Sequence, residues 1–355
     1  MSCLTGQIPQ KLRALGAKGY ISLATIECTT RCNLSCNYCY VLSDSHELTS
    51  SELRNAIDQL ADAGVLAISL TGGEVFLRND IMDIIDHIFT RGFFQLFILT
   101  NGTLITEEHI RFLAANSSRL GYIRFSLFSH QASVHDAFTG VPGSFERTLA
   151  NLTAMKKQDI PVYILLNAIE ENVDTLSESN AYFTDLGFSV QEGYVKFITD
   201  EPTRKACSPL VSRPFFKRLF AQTPETKMDG LRKTLTQRCF SGQVFSDLMC
   251  EKMFSTVAIL ADGSIVPCIS FRKESLGNIV TNKVPLQKLF QESSLIKKLR
   301  SLSRQKITPC NTCKFLNYCV LCPGMIYEEF GSYNHPSEQS CNFVKALHES
   351  LAEQQ

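Results

Sequence analysis

Cysteine spacing restricts this chain more than any other feature, because it leaves few ways to fold around what the thiols bind. The chain has 14 cysteines. Four lie between Cys28 and Cys39 and eight between Cys239 and Cys341, while Cys207 stands between the blocks and Cys3 near the start. Close-spaced pairs and triplets in a 355-residue chain point to metal or iron–sulfur ligation, provided the compartment is reducing. Met1 to Lys18 lacks the basic-then-apolar order of a secretory signal. No stretch approaches the roughly 18 apolar residues of a membrane helix. A cytoplasmic protein is therefore expected, outside the membrane. Lys plus Arg and Asp plus Glu number 35 each, so the formal net charge is zero and non-specific nucleic-acid binding is not expected.

Between about residues 20 and 200, short apolar runs alternate with helical patterns. Expected strands are Ile21–Ile26, Ala67–Leu70, Gln95–Leu99, Tyr122–Ser126, Val162–Leu166 and Val190–Phe197. Expected helices lie near Ser50–Ala63, Asp80–Arg91, Thr106–Ala115, Ser144–Lys157 and Val173–Leu186. Alternation of this kind predicts parallel βαβ units and an α/β fold, a partial (βα)6 TIM-like barrel with its chemistry on loops at the C-terminal ends of the strands. After Cys239 the patterns shorten and are broken by cysteines, which predicts a small domain held by metal rather than by a core. Phe343–Gln355 reads as a terminal helix. The expected division is an extension over 1–17, the barrel over 18–235, a cysteine-rich domain over 236–345 and a tail over 346–355.

Cys32, Cys36 and Cys39 have the spacing C-x3-C-x2-C and directly follow the first expected strand. Three thiolates on one short loop hold three irons of a [4Fe–4S] cluster and leave the fourth open to a chelating substrate. A zinc site with Cys28 as fourth ligand is the alternative. Together with the words Cys-Asn-Leu and Tyr-Cys-Tyr, the triplet resembles the signature of the radical S-adenosylmethionine (SAM) superfamily, with Tyr38 at its aromatic position. The resemblance implies that SAM chelates the open iron and is cleaved to a 5′-deoxyadenosyl radical, with flavodoxin or ferredoxin as electron donor.

Further motifs fall at matching strand ends. Thr71-Gly72-Gly73-Glu74 resembles the family element that hydrogen-bonds the SAM amino group, and its glycines let backbone approach a ligand closely. Thr100-Asn101-Gly102 follows the third strand. Ser126 matches a position that touches the SAM ribose, Arg147 one that contacts the SAM carboxylate, and Asn167 is a further SAM-contact candidate. A solvated helix charge is the other reading of Arg147. His130 and His135 have no partner identifiable from sequence, so surface or turn roles are expected.

Cys250-x12-Gly263-x4-Cys268, then Cys310-x2-Cys313-x5-Cys319-x2-Cys322, then Cys341, resembles the SPASM domain, which carries two auxiliary [4Fe–4S] clusters. The last x2 departs from the family's x3. The resemblance assigns Cys250, Cys268 and Cys322 to one auxiliary cluster, with Cys239 as candidate fourth ligand, and Cys310, Cys313, Cys319 and Cys341 to the other. A zinc ribbon formed by the two CxxC pairs is the alternative, but it leaves Cys250, Cys268 and Cys341 unexplained. Cys207 is a candidate hydrogen donor, as in peptide epimerases of the superfamily. The resemblance implies oxidative modification or crosslinking of a ribosomally made peptide. Tailoring of a porphyrin, aminoglycoside or other metabolite is the second reading, and a non-catalytic iron–sulfur or zinc protein the third. Only 31 residues precede Cys32, so a separate peptide-recognition protein or direct binding to the barrel is expected.

Overall fold

The structure is a computed structural model, and it describes residues 14–16, 18–37, 39, 41, 46–194, 212–223, 228, 249–250, 255–316, 319 and 321–353. Six parallel strands run in chain order: β1 (Leu23–Glu27), β2 (Ala67–Thr71), β3 (Gln95–Thr100), β4 (Leu120–Leu127), β5 (Val162–Ala168) and β6 (Ser189–Tyr194). Each is followed or preceded by helices on one face: α1 (Ser50–Asp62), α2 (Ile81–Thr90), α3 (Glu107–Ala115), α4 (Ala132–Thr139), α5 (Ser144–Lys157) and α6 (Leu176–Asp185). The sheet does not close, so this is the expected partial barrel. Residues 195–197 of the last expected strand lie outside the described residues.

Helix starts follow from capping. Thr49 accepts from the Glu52 amide while the Glu52 carboxylate accepts from the Thr49 amide, so the boxed residue is one position earlier than the expected start at Ser50. Thr106 and His109 close α3 in the same reciprocal way.

Strand alternation divides the sheet into two faces. Ala24, Ile26, Ile68, Leu70, Leu96, Ile98, Ile123, Phe125, Ile164 and Leu166 are fully or almost fully buried against the helices. The opposite, concave face carries half-buried Phe97, Leu99, Tyr122, Arg124, Ser126, Tyr163, Leu165 and Asn167.

The C-terminal region departs from expectation. Strand β7 (Thr256–Ile259) pairs in parallel with β1, and β8 (Ser264–Val266) and β9 (Gly277–Asn278) continue antiparallel, giving nine strands in one sheet. Val257, Ile259, Ile265, Phe290 and Leu347 join the main core, and two smaller apolar clusters form around Phe271 and Tyr333 and around Ile307, Leu321 and Ile326. The region therefore has a core of its own and a share in the barrel's. Its strands are too short, at four residues or fewer, to show a period in the sequence.

Helices α7 (Arg213–Ala221), α8 (Leu286–Glu292), α9 (Ser294–Arg300), α10 (Pro323–Phe330) and α11 (Glu338–Glu353) complete the fold. Helix α11 runs through the boundary expected at 345/346, so residues 346–353 are not a separate tail. It packs on α7 through Phe343 against Phe216 and Phe220, and Glu349 pairs with Arg213 and Lys217. The boundary expected at 235/236 lies outside the described residues. Among the described residues no helix is long and apolar enough to cross a membrane.

Of the two histidines expected in surface or turn roles, His130 lies in the bend after β4, while the expectation for His135 is corrected. His135 is 1% exposed, and its ring contacts Phe128 and Phe145. Burial pushes it down to about 4, so it is neutral near pH 7. His130 is half-buried and bonds Ser179 through Nδ1 at 2.8 Å. Both answer to partners more than five residues away or to burial, which local sequence does not display.

Candidate active site

The loop from Cys28 to Leu48 leaves the C-terminal end of β1 and is tied down at several points. Its first residues lie along the loop after β2: the Gly73 amide donates to the Thr29 carbonyl (2.8 Å) and the Glu74 amide to that of Arg31 (2.9 Å). This contact requires the glycines. A Cβ on Gly73 would collide with the Arg31 carbonyl oxygen and one on Gly72 with that of Thr29, and Gly72 also has φ +147°. The close approach here is to the cysteine loop's own backbone. Gly73→Ala is expected to displace the loop and lose iron bound at Cys32, Cys36 and Cys39; an unchanged iron content would refute the requirement.

The loop's far end is clamped back on its start. Glu47 accepts from the Thr29 hydroxyl (2.7 Å) and the Thr30 amide (2.8 Å), and pairs with Arg31 (3.2 Å). Arg78, held by Asp80 at 2.7 Å, donates to the carbonyls of Cys28 (2.9 Å) and Leu48 (3.1 Å). Burial alone would raise the Glu47 carboxyl, but the bonds from Thr29 and Thr30 and the charge of Arg31 outweigh it and hold it at about 2. A carboxyl depressed from its ordinary 4.5 stabilises the clamp above that value and loses the contribution as pH falls toward 2. Hydrogen-exchange protection of the Thr30 amide should thus persist from neutrality to about pH 4 and decline below it. Constant protection down to pH 2 would show that Glu47 does not hold the loop.

The triplet itself rests on two more elements. Ser35 and Asn37 amides donate to the Thr139 and Phe138 carbonyls at the end of α4 (2.8 and 3.3 Å). Asn33 donates to Thr103 (2.8 Å), and the Asn101 side-chain amide reaches both Asn33 (3.0 Å) and the Cys32 sulfur (3.7 Å). Burial raises the thiols of Cys32, Cys36 and Cys39, Cys36 to about 12; repulsion from Cys32 and Cys39 raises Cys36 further, and repulsion from Cys39 raises Cys32. The three sulfurs therefore share one neighbourhood, and the loop's donors are soft thiols throughout, which suits iron–sulfur or zinc rather than magnesium or calcium.

The C-terminal thiols fall into two further neighbourhoods. Burial pushes Cys268 up to about 12, and Cys322 and Cys250 push it further. Burial pushes Cys319 up to about 12, aided by Cys341, Cys310 and Cys313. Cys250 and Cys268 pack on the Phe271 cluster, Cys310 and Cys319 on the Ile307 cluster. These are the groups the family resemblance implies. Among the described residues no three His, Cys, Asp or Glu side chains converge as tightly as one metal ion requires.

The remaining expected residues divide. Glu74 is fully buried and accepts from the Phe76 amide (3.0 Å), the Thr100 hydroxyl (2.7 Å) and the Asn101 amide (2.7 Å), so its carboxylate joins the loops after β2 and β3. Burial raises its carboxyl while these three donors oppose the rise. Ser126 and Asn167 face the concave side near the strands' C-terminal ends. Arg147 is exposed, and its guanidinium donates to the Pro142 carbonyl (3.4 Å). Tyr38, Cys207 and Cys239 lie outside the described residues. Glu27, Glu47, Arg78, Arg124 and Arg272 were not singled out from the sequence, since each acts through a partner distant in the chain.

Residues 26–192 match the model of the radical SAM superfamily, and residues 250–314 match that of SPASM, an iron–sulfur cluster-binding domain. The chain is a radical SAM domain followed by a SPASM domain, and its cofactors are iron–sulfur clusters and SAM. Similar proteins include the AdoMet-dependent heme synthase of Methanosarcina barkeri, 27% identical over 86% of this chain and 92% of that one. Antilisterial bacteriocin subtilosin biosynthesis protein AlbA of Bacillus subtilis is also 27% identical, over 91% of this chain and 71% of its own. In fold the chain resembles anSMEcpe with bound AdoMet (TM-score 0.70, 18% identity, 94% of this chain and 97% of that one). It also resembles SuiB of Streptococcus suis bound to precursor peptide SuiA (TM-score 0.69, 17% identity, 94% and 80%).

Proposed function

We propose that this protein is a peptide maturase that abstracts a hydrogen atom from a ribosomally made peptide and forms a crosslink or another oxidative modification. The carrying observation is the placement of Cys32, Cys36 and Cys39 on one clamped loop at the mouth of an open barrel, with two more thiol groups on the domain joined to β1. Likeness to the subtilosin protein over 91% of the chain supports a peptide substrate. Likeness to the heme synthase over 86% supports a second reading, in which the substrate is a tetrapyrrole.

Cys32, Cys36 and Cys39 would hold a [4Fe–4S] cluster, which when bound supplies the electron that cleaves SAM to methionine and a 5′-deoxyadenosyl radical. Asn101 and the Leu34 amide aim donors at the Cys32 sulfur, at 3.7 and 3.4 Å, and so stabilise its thiolate. Gly72, Gly73, Ser126 and Asn167 line the strand ends where SAM would lie, and Arg147 is the cation for its carboxylate. Cys250, Cys268 and Cys322, with Cys239, would hold one auxiliary cluster and Cys310, Cys313, Cys319 and Cys341 the other, giving the second electron of a two-electron oxidation a place to go. Cys207 is retained as hydrogen donor should the product be an epimer. A flavodoxin or ferredoxin delivers the first electron.

The test is incubation of the anaerobically reconstituted chain with dithionite and SAM, with 5′-deoxyadenosine as the product measured. Its formation, followed by deuterium transfer from a labelled peptide, supports the reading. Transfer from a labelled tetrapyrrole and from no peptide would overturn the peptide substrate, and no 5′-deoxyadenosine would overturn the reaction.

A further inference from the structure

Among the described residues of the six barrel strands, two ionisable charged side chains face the concave side. Glu27 ends β1 and pairs across to Thr71. One step beyond the Leu70–Ile98 pair, the same rung runs through Leu99 to Arg124 and on to Tyr163. The two charges are treated differently. Glu27 receives both Nη atoms of Arg272, at 3.0 and 2.7 Å, and is satisfied. Arg124 meets no carboxylate among the described residues, and it stands next to the phenol-bearing Tyr163, opposite it in the β4–β5 register.

A guanidinium keeps its charge at any pH a protein experiences. Half-burying it in a concave surface costs desolvation, which a phenol oxygen offsets only in part. Its surroundings are built rather than accidental. Phe97, Tyr122 and Tyr163 lie side by side, with 4.5 Å between successive ring centres, and form an aromatic floor. Ser126 lies two residues further along the same face of β4, toward the cysteine loop. Arg124 thus stands between the floor and the reactive end, with donor capacity left over in a fork that fits a carboxylate.

We propose that Arg124 is a substrate-recognition residue that binds a carboxylate of the substrate inside the barrel. The inference rests on the reading of the concave face as the substrate chamber. It predicts that the substrate carries an acid group close to the carbon that is attacked. An acidic residue or C-terminus of a peptide supplies one, and so does an acid side chain of a tetrapyrrole.

Chemical protection tests this without turnover. The whole chain, anaerobically reconstituted, is treated with phenylglyoxal, and modification of Arg124 is followed by mass spectrometry, with Arg111 on the outer helix α3 as internal reference. The α-amide of N-acetylglutamate should slow Arg124 modification about tenfold while the α-amide of N-acetylglutamine, which carries no carboxylate, leaves it unchanged, if the acid group is peptidic. Protection by mesoporphyrin but not by its dimethyl ester supports the same site with a tetrapyrrole acid. Equal effects of acid and neutral forms, or no protection by either acid, would overturn the proposal. Protection by SAM alone would also overturn it, by assigning the guanidinium to the cofactor. A chain that forms 5′-deoxyadenosine yet fails this test loses the Arg124 role only; one that forms none loses the function itself.

Discussion

Iron should fall from about twelve to about eight atoms per chain when Cys32, Cys36 and Cys39 are replaced together by Ala, and 5′-deoxyadenosine formation should vanish. The expected loss is one cluster, because the other thiols sit on separate apolar clusters around Phe271 and Ile307. Those clusters fold from leucine, isoleucine and aromatic side chains that the substitutions do not touch. The measurement is iron and sulfide per chain after anaerobic reconstitution. About four irons falling to none, with zinc present, would keep the SAM-cleaving site and remove the auxiliary clusters. No iron in the parent chain would remove the central reading.

The second large effect concerns Glu27 and Arg272. The pair is bidentate, at 3.0 and 2.7 Å, and the side chains are only 3% and 7% exposed. It connects the end of β1 to the turn after Cys268, where the amides of Arg272 and Lys273 both donate to Glu328 of α10 (2.6 and 2.8 Å). Removing one partner takes from the other buried charge the ion pair that faces it. Arg272→Met or Glu27→Gln should therefore cost about 3–5 kcal/mol in urea unfolding of the metal-free chain. The double variant Glu27→Leu with Arg272→Leu should recover most of that loss, since a buried pair contributes little net stability against apolar replacements. Fully additive losses in the double variant would show that the two side chains do not act as a unit.

The barrel was legible because its signals are local and long. Five of the helices carry caps or apolar periods over nine or more residues, and the six parallel strands appear in chain order, as right-handed βαβ connection requires. Helix α4 was missed, since its eight residues lack a side-chain cap and sit within a segment read for its motif. The cysteine blocks were legible for a different reason: thiol ligation needs residues of one type at fixed spacings, and a loop keeps those spacings in the sequence. The C-terminal strands were not, because their apolar residues gain meaning only against β1.

By itself, then, the sequence determined the parallel α/β plan and the three thiol groups, through periods and spacings that reach only a few residues along the chain. Tertiary structure alone decided that Gly72 and Gly73 serve the approach of two backbones, that Glu74 is enclosed by Phe76, Thr100 and Asn101, and that Glu47 closes the cysteine loop. It also decided that Arg272 neutralises Glu27 across 245 residues, while Arg124 stands beside Tyr163 with no carboxylate partner among the described residues. These are pairwise electrostatic and steric facts. They depend on which side chains meet across the chain, and neither composition nor period records a meeting.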